Sequence, residues 1–229
     1  MHTRPSYRPV LPGFLMIKLD ILSDPICPWC LIGKASLDAA LAQRPDHPFT
    51  IEWHPFQLNP DMPVGGMDRR EYLELKFGGK DGATRSYAPI VERAEAMGLK
   101  IDFAGIQRTP NTLNAHRLIH WAGLEARQGP VVDALFYAYF RQGLDIGDPS
   151  VLTSIAQTAG MDREVVTRLL ASDSDAEMIA ERDRNARARG VNGVPCFIVA
   201  NQHALSGAQP TELWLQVIDE LKEQQAAAT

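Results

Sequence analysis

An apolar run, IKLDIL, passes through Ser-Asp-Pro into CPWC, so two cysteines, Cys27 and Cys30, flank a Pro-Trp pair where the chain changes period. That junction narrows what can be built around it. Ile17 to Leu22 alternate imperfectly, as in a largely buried strand, and Ser23-Asp24-Pro25 reads as a turn. Pro28 suits the first position of a helix, where its missing N–H costs nothing. The helix is therefore expected to start at Cys27 and run through Leu37 and Leu41 until Pro45 stops it. Cys27 then occupies the N-cap. Its sulfur can accept from the free N–H groups of Trp29 and Cys30 and sits at the positive end of the helix dipole, both of which favour thiolate. Cys27 is expected to be the solvent-accessible nucleophile, and Cys30, one turn in, the buried thiol that resolves a mixed disulfide. Trp29, between them at the helix tip, is expected to be partly exposed.

Two other uses of the pair are weaker. Three cysteines in 229 residues are too few for a disulfide framework, and the odd count leaves one over. A zinc site needs four ligands, and the chain has one such pair. His116 and His120 stand four apart, but Arg117 takes the place of a metalloprotease glutamate, so both read as ordinary helix residues and no metal is expected.

With 45% apolar residues the chain can bury a full core without a staple, and its net charge of −5 gives no pull toward nucleic acid or anionic membrane. No run approaches the roughly 18–20 apolar residues of a membrane span. The expected partners are thiols and disulfides of proteins or small molecules; the sequence sets no oligomeric state. The N-terminus carries early positive charge, but Pro12 and Gly13 break its apolar stretch, and Lys18 and Asp20 interrupt the next one. A signal peptide is not expected, which favours a cytoplasmic location, with residues 1–15 a loose extension and Met16 a natural start.

FTIEWHPF, residues 49–56, alternates Phe49, Ile51 and Trp53 against Thr50, Glu52 and His54, a second strand ended by Pro55. From Asn59 to Gly190 the period is helical. Asp68 with Glu71 resembles a capping box; Gly98, Gly129 and Gly143 close helices; Asp148-Pro149 and Asp162 open others. Val132, Leu135, Phe136, Tyr139 and Phe140 share one face and read as core. Arg182, Arg184, Arg187 and Arg189 spread over two faces of a solvated helix. GVPCFIVA then turns through Asn201-Gln202-His203 into ALSG as a hairpin, and Thr211 opens a last helix. The expected fold is α/β, a β-α-β unit and a β-β-α unit interrupted by a large all-helical insertion: residues 16–60, 61–189 and 190–225. Both junctions of the insertion lie near the cysteine pair, so it is expected to form a lid.

SDPICPWCLIGK, WHPFQLNP, NTLNAHRLIHWA and GVPCFIV followed by SGAQP together resemble the DsbA family of thioredoxin-fold proteins. The closer likeness is to the FrnE-like branch, which is grouped with 2-hydroxychromene-2-carboxylate isomerases. The likeness covers residues 16 to about 225. It implies thiol–disulfide exchange, a cis Pro195 against the cysteine pair, and backbone groups of Val194 offered to an extended substrate. It also places His54, Asn111 and the Gly207-Ala208-Gln209 turn along the substrate groove, where Pro28 and Trp29, between the cysteines at the helix tip, are expected to meet substrate. No tightly bound cofactor is implied, and glutathione enters as a co-substrate. In the isomerase branch, where glutathione-dependent enzymes act on small aromatic compounds, a serine commonly replaces the first cysteine; retention of both here favours the oxidoreductase. Cys196 departs from the pattern, where an apolar residue usually follows the proline. Strand alternation directs it away from Cys27, and burial should make it inert.

Overall fold

The computed structural model describes residues 15–227, so the expectation of an N-terminal extension lies almost wholly outside the described residues. β1 (Ile17–Ser23) leads into α1 (Pro28–Gln43), which is followed by β2 (Phe49–Pro55). Near the other end, β5 (Cys196–Val199), β6 (His203–Ser206) and α9 (Thr211–Ala227) complete the second unit. The four strands form one sheet in the order β2-β1-β5-β6, with β1 parallel to β2 and antiparallel to β5. This is the thioredoxin-like arrangement expected from the strand and helix order.

Register decides the two faces. Leu19 opposite Val199 and Ile21 opposite Phe197 point to one side, where they meet Leu37 and Ala40 of α1 and Trp214 and Ile218 of α9 in one buried cluster. Thr211 Oγ1 donates to Ser36 O at 3.1 Å, and Arg44 grips Asp219 with two bonds of 2.8 Å, so α9 is tied along α1. Leu22 opposite Cys196 points to the other side, where Phe56 joins them.

Between β2 and β5 run α2 (Arg69–Phe77), α3 (Lys80–Ala96), α4 (Leu113–Leu124), α5 (Gln128–Gln142), α6 (Pro149–Thr158), α7 (Arg163–Leu170) and α8 (Ala176–Ala188). The Asp68 carboxylate caps α2, accepting from the N–H groups of Arg70 and Glu71; Asp148 and Asp162 cap α6 and α7. The stripe Val132, Leu135, Phe136, Tyr139 and Phe140 is buried throughout. It belongs to the same cluster as Leu19, Ile21 and Trp53, so insertion and sheet share a core.

Three expectations need correction. The insertion is not all helical: β3 (Met67–Asp68) pairs antiparallel with β4 (Arg108–Thr109). Two residues per strand are too short for alternation to register. Gly129 does not close a helix but lies in the first turn of α5, where Pro130 is tolerated because the N–H it lacks has no intrahelical partner. The hairpin turn sits one residue earlier than expected, with Ala200 and Asn201 both in the left-handed region (φ 55° and 57°) and Gln202 N–H bonded to Val199 O at 3.0 Å. Two positive φ values match the right-handed twist of the flanking strands.

Candidate active site

Cys27 is the N-cap of α1: its carbonyl accepts from Cys30 N and Leu31 N at 3.1 and 3.2 Å, and its own N–H donates to Asp24 O at 2.9 Å. Pro28 stands at N1, as the sequence indicates. The side chain does not cap. Instead the Cys27 thiol donates to Val194 O at 3.6 Å; no backbone N–H of the first turn bonds its sulfur, which meets the Cys30 thiol. Nor is it open to solvent, as expected of the nucleophile. Cys27 is 3% exposed and Cys30 1%, because the Val194-Pro195 segment lies over the helix tip. Both are free thiols. Burial first, then the neighbouring Cys27 sulfur, push the Cys30 thiol well above its ordinary value, opposed by donation from the Ser23 hydroxyl and the Asp24 N–H.

The Val194–Pro195 bond is cis, as the resemblance implies. Pro195 closes on α1 at Gly33, where an added Cβ would come within 3.0 Å of Pro195 Cγ and 3.4 Å of Ala208 Cα. Pro195 O accepts from Gly207 N at 2.8 Å, and Gln209 Nε2 donates to Ser206 O at 2.7 Å, so the 207–209 turn is strapped to the proline segment. Trp29, in the first turn of α1, is half-buried against the Ile32-Ile90-Ala94 cluster. Cys27, Cys30, Pro28, Trp29, Val194, Pro195 and the Gln209 turn thus come together as expected.

His54 and Asn111 are engaged elsewhere. His54 Nε2 bonds Asp20 and its Nδ1 accepts from Arg182 at 2.7 Å. It lines a cleft of about 810 Å³ beside α8, shared with Val194, Cys196 and Gly207. Asn111 Nδ2 donates to Met62 O at 2.7 Å, while its Oδ1 accepts from Leu113 N and Gln57 Nε2, so its polar atoms hold the loop before α4. Of the four arginines Arg184 and Arg189 are exposed, as expected, but two in α8 are engaged. Arg182 reaches His54, and Arg187 binds Asp183 and Gln57 O while lying 4.0 Å over the Phe56 ring, because α8 packs against the end of β2. Cys196 is buried with Leu22 and Phe56; burial pushes its thiol up and the Ser206 hydroxyl opposes this.

Asp20, Glu52 and His54 could together hold a metal ion, but Lys18 Nζ lies 2.9 Å from both carboxylates and Arg182 already donates to the histidine. Two cations fill the place a third would take. Among the described residues no metal set forms around His116 and His120. His116 is buried and its Nε2 has no hydrogen-bond partner.

That nitrogen faces a residue read from the sequence only as part of a turn. The Asp24 carboxyl is fully buried three residues before Cys27, accepting from Leu58 N at 2.6 Å and Ile26 N at 3.4 Å, with His116 Nε2 at 3.9 Å from its Oδ1. Burial pushes Asp24 up to about 7 and His116 down to about 4. An acid set between an apolar strand and a helix was the available signal. Arg69 and Tyr87 of the insertion also escaped sequence reading: Arg69 Nη2 donates to the Tyr87 hydroxyl at 2.6 Å. Nothing local in their sequence marks them.

No helix among the described residues is long and apolar enough to cross a membrane. The fold has close counterparts. The Streptomyces coelicolor protein SCO1869, a probable DsbA oxidoreductase, superposes with a TM-score of 0.78 and 28% identity over 90% of each chain. A 2-hydroxychromene-2-carboxylate isomerase matches at 0.68 and 18%, covering 93% of this chain and 99% of its own. The cytosolic disulfide reductase DsbM of Pseudomonas aeruginosa, solved with glutathione, matches at 0.62 and 17%, covering 92% and 98%. The model of the DSBA-like thioredoxin domain matches residues 18–219, from the first strand into the last helix, and the chain belongs to that family.

Proposed function

We propose that the protein is a thiol–disulfide oxidoreductase in which Cys27 attacks a disulfide and Cys30 resolves the mixed disulfide that results. The observation that carries this is the asymmetry of the pair. Cys27 sits at the helix tip against the Val194 carbonyl, whereas Cys30 lies a turn deeper, its thiol pushed up by burial. In the exchange, Cys27 thiolate forms a bond to one substrate sulfur and the other leaves as thiolate. Cys30, once deprotonated, attacks Cys27 Sγ, releasing the reduced substrate and leaving a Cys27–Cys30 disulfide. Donation from Ser23 and Asp24 N–H supports the Cys30 thiolate needed in that second step. The Val194 carbonyl, two residues before β5, would pair with an extended substrate backbone once the Cys27 S–H no longer occupies it.

The likeness to DsbM bound to glutathione supports glutathione as the small-molecule co-substrate, and DsbM's cytosolic description supports a cytoplasmic setting. The isomerase neighbour supports a second reading, glutathione-dependent isomerisation of a small aromatic compound, but the two thiols at the helix tip favour exchange. The deciding experiment is the Cys30→Ser variant, which should accumulate mixed disulfides with glutathione on Cys27. Trapping by Cys27→Ser instead would reverse the roles. Absence of both trapping and insulin reduction would favour the isomerase.

A further inference from the structure

Arg69 opens α2 and is 7% exposed, yet among the described residues no carboxylate pairs with it. Its guanidinium meets neutral hydroxyls: Nη1 donates to Thr109 Oγ1 at 3.3 Å and Tyr139 OH at 3.2 Å, and Nη2 to Tyr87 OH at 2.6 Å. The Tyr87 and Tyr139 rings flank it at 5.5 and 6.0 Å. A buried cation with only neutral partners is costly and leaves an uncompensated positive field, which an anion nearby would satisfy.

The hydroxyls pass that field on unequally. The Tyr139 hydroxyl proton is committed to Arg108 O at 3.3 Å. The Tyr87 oxygen is taken by Arg69, and its own proton has no acceptor among the described residues. The ring is held in place, edge-on to Phe77 at 6.0 Å and Phe103 at 5.1 Å. It packs on the Ile32-Ile90-Ala94 cluster together with Trp29 and Ala208, one residue from the cysteine pair and the other from the 207–209 turn. Cys27 meanwhile needs a donor. Its sulfur receives no bond from the backbone N–H groups of the helix tip, only that of the neighbouring Cys30 thiol, and the Val194 carbonyl that accepts its proton would repel the thiolate.

We propose that Arg69 and Tyr87 form a sulfur-anion site on the insertion side of the groove, in which the Tyr87 O–H, polarised by Arg69, donates a hydrogen bond to the Cys27 thiolate. This rests on the reading of Cys27 as nucleophile. No proton is transferred: burial, the largest influence on Tyr87, raises it and keeps the phenol protonated, and the charge of Cys27 acts in the same direction. Helix dipole and phenol together then do what side-chain capping does not.

The test is the pH dependence of Cys27 alkylation by iodoacetamide in the reduced full-length protein, with the modified residue located by mass spectrometry. Tyr87→Phe keeps the ring packing and removes the donor. The pH at which Cys27 reacts at half its maximal rate should rise by about one unit, a tenfold loss of thiolate below that point, with Cys196 labelling unchanged. An unchanged profile overturns the proposal. Arg69→Met should move the profile the same way; if that variant does not fold, Tyr87→Phe alone decides. Insulin reduction is measured in parallel on the unsubstituted protein. A shifted alkylation profile without insulin turnover would sink the oxidoreductase reading and leave the anion site standing.

Discussion

Asp24 and His116 hold one proton between them, and folding moves it. In the unfolded chain near pH 5 the proton belongs to the histidine, whose ordinary value is 6.5, and the aspartate, at 3.8, is ionised. In the folded protein burial reverses the order, about 7 for Asp24 and about 4 for His116, so the acid is neutral and so is the base. The linkages have opposite signs. Asp24, raised on folding, removes stability as pH rises from about 4 to about 7. His116, lowered on folding, removes it as pH falls from about 6.5 to about 4. They are on the order of 4 kcal/mol for Asp24 and 3 kcal/mol for His116, and their slopes nearly cancel over the common range. Asp24→Asn should unmask the histidine alone, since its amide can still accept from Leu58 N and can offer N–H to His116 Nε2. Its stability from urea unfolding should climb between pH 4 and 6.5, where the parent is nearly flat. His116→Gln should show the opposite slope between pH 4 and 7. Flat profiles for both variants would mean that solvent reaches the pair. None of this was legible in the sequence, because the histidine comes from α4, 92 residues along the chain, and its partner looked like a turn residue.

The elements that were legible are those with a period or a cap. β1, α1, β2, the β5–β6 hairpin and α9 were marked by alternation, by Pro28 and by Thr211, and the helices of the insertion by Asp68, Asp148 and Asp162. β3 and β4 were missed because two-residue strands carry no pattern, and Gly129 was misread because a glycine beside a proline looks like an end rather than a first turn. Contacts between elements were less visible, and Gly33 shows why. In the sequence it is a glycine inside a helix, where alanine is better by about 1 kcal/mol. In the fold its bare Cα lets α1 approach Pro195 Cγ, Phe197 Cζ and the Ala208 backbone, at 3.0, 3.3 and 3.4 Å from the missing Cβ. None of the three is the free end of a flexible side chain. Overpacking of this kind costs about 1–3 kcal/mol, more than the helix gains. Gly33→Ala should lower the unfolding free energy by roughly 1 kcal/mol and slow disulfide exchange several-fold by displacing the Val194 carbonyl from Cys27. Equal stability and exchange rate would show that the proline segment and the 207–209 turn can retreat together.

At the scale of the molecule, the division into a β-α-β unit, an insertion and a β-β-α unit is a division of sequence, and the core does not respect it. Trp53 of β2 gives its backbone N–H to Gln128 Oε1 at 2.8 Å and accepts at its carbonyl from Gln128 Nε2 at 3.0 Å, so the sheet edge is completed by α5. On the other face, Leu22, Phe56 and Cys196 are closed over by Ala186 of α8, and the Asp183 carboxylate holds Gln57 N at 2.8 Å. Tyr87, packed in one cluster with Trp29 and Ala208, brings the insertion to the rim of the cysteine pair. Periodicity could locate the insertion but could not reveal this, since it reports which face of an element is apolar and not what that face meets. Removing residues 68–185 behind a short linker would uncover Trp53, and by taking away the Asp183 anchor and most of α8 it would leave Ala186 and Arg187 without the helix that holds them over Phe56 and Leu22. Each such side chain is worth roughly 1.5–3 kcal/mol, against a net stability for a domain on the order of 5–15 kcal/mol. The shortened chain should therefore lose cooperative thermal unfolding and near-ultraviolet circular dichroism, and Cys27, Cys30 and Cys196 should alkylate at the rate of a free thiol. A deletion variant that melts cooperatively and keeps Cys30 and Cys196 protected would show that the sheet with α1 and α9 stands by itself, and that the insertion serves the groove alone.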